Sequence, residues 1–176
     1  MSDLFQEFVK RRSIRRYTEE PIADDLLRRI LAVGLMSASG KSKFPWQFIV
    51  VCDRAMLEKL SGCRIGVAKM LAKAACAVIV IGDKTITDTV IEDCTIAAIN
   101  MHLEASSLGL GSCYIQGRGR EAEDGRTTED FVRSLLGFPE KYQLQAILSL
   151  GHPLKEARPH DVEKLDWSKV HNENFQ

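Results

Sequence analysis

The sequence has no net charge: 24 lysines and arginines face 24 aspartates and glutamates. A general nucleic-acid binder carries a clear basic excess, so the balance argues against that class. No apolar run is long enough to span a bilayer. The longest, "AACAVIVI" from Ala74 to Ile81, falls far short of the roughly 20 residues a span needs and reads as a buried strand. The N-terminal "MSDLFQEFVKRR" has no apolar core of the secretory kind. The expectation is a soluble, cytoplasmic protein without a membrane partner. Cysteines are few, odd in number and widely spaced (Cys52, Cys63, Cys76, Cys94, Cys113), with no C-x-x-C. That excludes a disulfide framework and a zinc site, and predicts reduced, mostly buried thiols, none of them catalytic. His102, His152, His160 and His171 lack metal-ligand spacing, so no metal is expected. There is no G-x-G-x-x-G: "GLGSCYIQG" follows a helix rather than a strand, and Gly109 and Gly111 read as a helix stop and turn. "GKS", Gly40 to Ser42, imitates the end of a P-loop. Leu35 stands where that motif needs its first glycine, and no strand precedes it. Repeats, low-complexity tracts and linkers are also missing, so residues 1–176 form one domain.

What is present is a regular alternation of elements. Asp3 to Lys10 carries Leu4, Phe5, Phe8 and Val9 as a helical stripe able to dock on a core. Asp24 and Asp25 open a second helix with the apolar face Leu26, Leu27, Ile30 and Leu31. The pairs Asp24–Arg28 and Asp25–Arg29 sit one turn apart along it. It fades between Gly34 and Ser37, and a loop runs to Trp46. Strands are expected at Gln47–Asp53, Cys76–Asp83, Gly111–Gly117 and Tyr142–His152. Helices are expected near Arg54–Leu60, Val67–Ala75 and Thr128–Leu136. The clearest helix is Val90–Leu108, apolar all round and so expected at the centre of the domain. After Pro153 the tail is polar but keeps Val162, Leu165, Trp167, Val170 and Phe175, a large apolar load for a disordered segment.

The stretch "FVKRRSIRRYT" sets five cations in the seven residues from Lys10 to Arg16. Three readings are open from the residues alone. The cations can be a solvated helix end, suited to the negative end of the helix dipole. They can be an anion site, since arginine forks match phosphate and Ser13 adds a hydroxyl. They can be a nucleic-acid arm, although Ile14 and Tyr17 look like packing residues. Gly117, at the end of a strand, permits either close approach of a flat ligand or a turn. No nucleophile or acid–base motif with a local signature is present.

Four segments in order, "RRSIRRY", "SGKSKFPWQFIVV", "EDCTIAAINMHLEASSLGLGSCYIQ" and "LSLGHP" through "ARP", resemble the nitroreductase family of flavin enzymes. They span nearly the whole chain. The resemblance implies an α+β fold: a three-layer sandwich with a central, mostly antiparallel sheet flanked by helices. It also implies an intertwined homodimer, with the tail 160–176 packing on the partner subunit. The implied cofactor is FMN, reduced by NADH or NADPH. The implied activity is ping-pong reduction of a small-molecule electron acceptor such as a nitroaromatic or quinone. The alternative is a flavin-binding or flavin-handling protein of the same fold with little turnover. By the same resemblance, Arg11 and Ser13 contact the phosphate, with Arg12 beside them, and Arg158 supplies a further cation. Arg15 lies toward the pyrimidine side of the flavin ring. Ala38, Ser39, Gly40 and Ser42 form a loop reaching the flavin of the other subunit. Ser42 stands where the family commonly has asparagine, and Phe44 where it often has glutamine. Gln116 and Gly117 lie near flavin N5, and Lys69 near N1 and O2.

Overall fold

The computed structural model describes residues 3–175. They run in order through α1 (Leu4–Lys10), α2 (Asp24–Leu35), β1 (Trp46–Val51), α3 (Arg54–Leu60), β2 (Cys76–Asp83), α4 (Val90–Ser107), β3 (Gly111–Gln116), α5 (Thr128–Leu136) and β4 (Tyr142–Gly151). The four strands form one sheet in the order β1-β2-β4-β3, every pair antiparallel. β2 lies inside the sheet with helices over both faces, which is why it reads as an unbroken apolar run. Successive side chains of a strand alternate between faces. Ala77, Ile79 and Ile81 therefore enter one core with Leu57, Leu60 and Val132 of α3 and α5. Cys76, Val78 and Val80 enter the other with Ile30 of α2 and Cys94, Ala97 and Met101 of α4. The result is the expected three-layer α+β sandwich. Among the described residues no helix is long and apolar enough to cross a membrane.

One irregularity sets the phase of β4. Val80 faces Ala146, but the next residue, Ile81, faces Leu144. Gln145 is the extra residue of a bulge. Its carbonyl accepts the amides of Gly117 at 3.1 Å and Arg118 at 3.3 Å, which ends β3. Leu144 thereby joins the α3/α5 core, whereas Leu148 and Leu150 join the α2/α4 core.

The element boundaries follow local chemistry. Asp53 accepts the Met56 amide at 2.8 Å and Thr127 the Asp130 amide at 3.0 Å, capping α3 and α5. Gly137, at φ 72°, ends α5 in the left-handed conformation that glycine tolerates best.

Several expectations are corrected. Val67–Ala75 is not an α-helix but a short 3-10 segment, Lys69–Lys73, pinned between α3 and β2. The apolar stripe of α1 does not dock on the core. Leu4, Phe5 and Phe8 are exposed, and Glu7 is the buried residue of that helix. Arg29 pairs with Glu104 of α4 rather than with Asp25, because a cross-helix partner there is part-buried and shielded from competing water. α4 is not buried all round: Ile96 and Ile99 face outward, since among the described residues no element covers that side. In the tail, residues 161–175 form two 3-10 turns, Val162–Lys164 and Trp167–Lys169, and every one of them is exposed.

Candidate functional site

The basic segment leaves α1 and runs beside β3. The amide of Ile14 donates to the Ser112 carbonyl at 2.9 Å, and Ser13 bridges to Ser112 in parallel fashion. Tyr17 anchors the far end. Its hydroxyl is within 2.7 Å of both the Ile14 carbonyl and Ser149 Oγ, and burial drives its pKa up. Ile14 and Tyr17 are thus the packing residues they look like. Arg11, Arg12 and Arg15 are turned to the other side.

There they meet the chain as it returns from β4. Arg11, Arg12, Ser13, Arg15, Ala157, Arg158 and His160 line one cavity of about 410 Å³. Arg12 donates to the Arg158 carbonyl, and the His160 amide donates to the Val9 carbonyl at 2.8 Å. These two bonds close the C-terminal side of the cavity. Its lining holds four arginines and no carboxylate. Five of the expected site residues are brought together in this way: Arg11, Arg12, Ser13, Arg15 and Arg158.

Arg11 is oriented from beneath. His102, buried in the middle of α4, sits 3.0 Å from Arg11 Nη1 through Nε2 and hydrogen-bonds Ser112 Oγ through Nδ1. Guanidinium only donates, so Nε2 must accept and Nδ1 carries the proton. Burial, and secondarily the Arg11 charge, lower the His102 pKa to about 4. The ring is therefore neutral at physiological pH. His160 Nε2 approaches Arg11 Nη2 from the opposite side at 3.4 Å.

From this cavity β3 leads away. Gln116 lies four residues beyond Ser112, about 14 Å along the strand. Cys113 is between them, its thiol pushed up by burial while Arg15, Ser13 and Arg64 pull it the other way. Arg64 Nη1 donates to the Gln116 carbonyl at 3.5 Å. Gly117 is buried, and a Cβ on it would come within 2.7 Å of the Leu144 side chain. Its φ is not left-handed, so close packing on Leu144, not a turn, requires glycine.

The remaining expected residues lie elsewhere. Lys69 does not line the cavity; its Nζ pairs with Glu123 at 2.6 Å. Ala38, Ser39, Gly40 and Ser42 sit at the N-terminal end of α4. Ser39 Oγ donates to Asp93 Oδ2 at 2.8 Å, and the Gly40 amide donates to Asp93 Oδ1 at 3.0 Å. Asp93 precedes His102 by nine residues, which places the two about 14 Å apart along the helix. Within one chain the loop therefore does not join the arginine cavity. Lys41, Ser42 and Phe44 all have positive φ (52°, 52° and 47°), a strained run of the kind that collects at functional loops. Ser39 Oγ accepts the Phe44 amide at 2.8 Å and closes it.

Sequence reasoning missed Arg64, His102, His160 and Asp93. His102 could have been flagged as a lone histidine on a nearly all-apolar helix. For the other three no local signal exists.

Comparison with known proteins adds to this geometry. The family model described as "Nitroreductase family" matches residues 8–66 and 63–152. An Archaeoglobus fulgidus protein, provisionally named NADH dehydrogenase/NAD(P)H nitroreductase, is 31% identical over 180 aligned residues. The match covers 99% of this chain and all of that protein. The NADPH-flavin oxidoreductase of Vibrio harveyi is 28% identical across 99% of this chain and 75% of its own length. Among solved structures, an FMN-dependent nitroreductase from Clostridium difficile R20291 superimposes with a TM-score of 0.94 at 39% identity. That match covers 97% of this chain and 99% of the other.

Proposed function

The chain belongs to the nitroreductase family, and on that premise we propose that it is an FMN-dependent oxidoreductase using NADH or NADPH. Its acceptors are nitroaromatics, quinones or related compounds, reduced by a ping-pong mechanism. The observation that carries the reading is the carboxylate-free cavity lined by four arginines and a serine at the head of β3. Such a donor set suits a phosphate monoester dianion, which accepts several charge-assisted hydrogen bonds at once.

FMN supplies the redox chemistry when bound: a ring that takes up a hydride and later gives up two electrons. The protein contributes binding, orientation and charge. Arg11, Ser13 and Arg158 hold the phosphate, with Arg12 fastening the Arg158 backbone. Arg15 and Arg64 carry positive charge along the strand toward Gln116. A cation beside the pyrimidine edge favours the reduced, anionic ring over the oxidised one. The backbone at Gln116 and Gly117 lines the ring. Lys69, engaged by Glu123, has its charge largely offset.

The loop Ala38–Ser42 belongs in this reading to the site of a second copy, as the family resemblance implies; in its own chain it is bonded to Asp93 and takes no part in the arginine cavity. An intertwined homodimer with two shared sites follows. Support comes from the uncovered apolar residues Leu4, Phe5, Phe8, Met36, Ile96 and Ile99, and from the fully exposed tail with Trp167, Val170 and Phe175. The tail 160–176 is assigned to the partner's surface; Gln176 lies outside the described residues.

The test uses purified protein loaded with FMN. It should be yellow, bleach with NADH or NADPH without air, and recolour on addition of a quinone or nitroaromatic. Initial rates should give parallel double-reciprocal lines. A protein that binds FMN but is not bleached by either nicotinamide is a flavin carrier. One that cannot be loaded overturns the reading.

A further inference from the structure

Cys52 Sγ and Cys76 Sγ lie 3.1 Å apart. Cys52 follows the last residue of β1 and is exposed; Cys76 opens β2 and is 1% exposed. The ladder explains the meeting. Trp46 faces Gly82 and Val51 faces Ala77, so the next step of the register sets Cys52 opposite Cys76. The Asp83 amide donates to the Pro45 carbonyl at 2.9 Å, which marks that opposed pair as hydrogen-bonded. Bonded and non-bonded pairs alternate along an antiparallel ladder. Cys52 and Cys76 stand an odd number of steps away and form a non-bonded pair. In such pairs the Cα atoms are only about 4.5 Å apart and the side chains are closest. That separation lies within the range a disulfide bridges, roughly 4.4–6.8 Å.

We propose that Cys52 and Cys76 are an oxidisable thiol pair that closes to a cross-strand disulfide on meeting a hydroperoxide. The solvent-facing Cys52 sulfur attacks a peroxide oxygen. The O–O bond breaks, Cys52 becomes a sulfenic acid, and the departing oxygen takes the thiol proton. The Cys76 sulfur then attacks the Cys52 sulfur. An S–S bond forms, the S–O bond breaks, and the oxygen leaves as water with the Cys76 proton. Two thiols lose two electrons and two protons, and hydrogen peroxide becomes two waters. The order of events follows the environments. Burial, and then the adjacent Cys52 sulfur, hold the Cys76 thiol well above its usual range, so it resolves rather than attacks. Cys63, Cys94 and Cys113 are buried and have no such exposed partner position.

The bond would close the segment 53–75, which carries α3, Arg64 and Lys69, onto the edge of the sheet. It constrains the unfolded chain and should raise the melting temperature by roughly 5–10 °C. The inference does not depend on flavin binding.

The experiment treats the full chain with a small excess of hydrogen peroxide. Thiols are then counted under denaturing conditions, and the protein is digested without reductant. The expected result is two fewer free thiols, a mass loss of two hydrogens and a linked peptide joining Cys52 to Cys76. Dithiothreitol should reverse all three. In Cys52→Ser, Cys76 should stay free under the same treatment. A full set of free thiols, oxygen additions without a link, or a link between two chains would each overturn the proposal.

Discussion

His102 Nε2 stands 3.0 Å from Arg11 Nη1, a buried neutral ring accepting from a guanidinium across 91 positions of sequence. The contact joins the middle of α4 to the start of the basic segment. It makes the placement of one arginine of the cavity depend on the protonation of a residue outside the cavity lining.

The first prediction concerns pH. His102 is held near 4 in the folded protein against an ordinary value of 6.5. Between those values the unfolded chain binds a proton the folded chain does not, so stability falls as pH drops from about 6.5 to 4 and then levels off. The full effect is about 3 kcal/mol. Urea unfolding of wild type and His102→Gln at pH 7 and pH 4.5 measures it. The variant should lose most of the pH dependence. Equal dependence in both would place the acid sensitivity elsewhere.

Arg11→Ala should weaken FMN binding while leaving the fold intact. A hydrogen bond to a charged group contributes about 1.5–3 kcal/mol, which corresponds to a loss of roughly 10- to 150-fold in Kd. Quenching of flavin fluorescence on titration gives the constant. An unchanged value would return the cluster to the role of a solvated helix end.

Asp93→Ala should loosen the Ser39–Phe44 loop. It removes the acceptor of the Ser39 hydroxyl, the Gly40 amide and the Thr89 hydroxyl. Orphaning donors at a part-buried site costs about 1–3 kcal/mol. Thermal melting should register that cost, and flavin content after gel filtration should fall with it. Normal melting with full flavin would mean the loop is held by other contacts.

Much of the fold could be read from the sequence, because β2 and α4 are long and apolar enough for local pattern to dominate. The surfaces that misled did so for a common reason. The stripe of Leu4, Phe5 and Phe8 has the spacing of a core face, yet spacing cannot say whether its cover is this chain or another. The pair Asp25–Arg29 satisfies a helix rule, but Glu104 offers Arg29 a drier partner. In the site, Arg11, Arg12, Ser13 and Arg15 were legible as a cluster, and the use proposed for them came only through family resemblance. His102 and Asp93 act across 91 and 53 positions, and no local window contains both ends of such a contact.

On the proposed homodimer, deleting residues 161–176 should lower dimer stability and flavin retention together, because each proposed site would draw on the interface. Light scattering and absorbance of the truncated protein test both at once. A well-behaved dimer with full flavin would show that the tail does not hold the subunits together.

The bulge at Gln145 works like a frame shift for side chains. Ahead of it Leu144 serves one core; beyond it Leu148 and Leu150 serve the other, and the even spacing that would put all three on one face is broken once. Deleting that single residue would set Leu144 directly beside Ala146, so Ile81 would still face Leu144, Val80 would still face Ala146, and every leucine would keep its layer. The loss would fall on the Gly117 and Arg118 amides, which give up the carbonyl that ends β3. The bulge is thus a spare residue held in reserve. A one-residue deletion elsewhere in β4 would turn part of the strand to the wrong layer unless the bulge were surrendered in exchange.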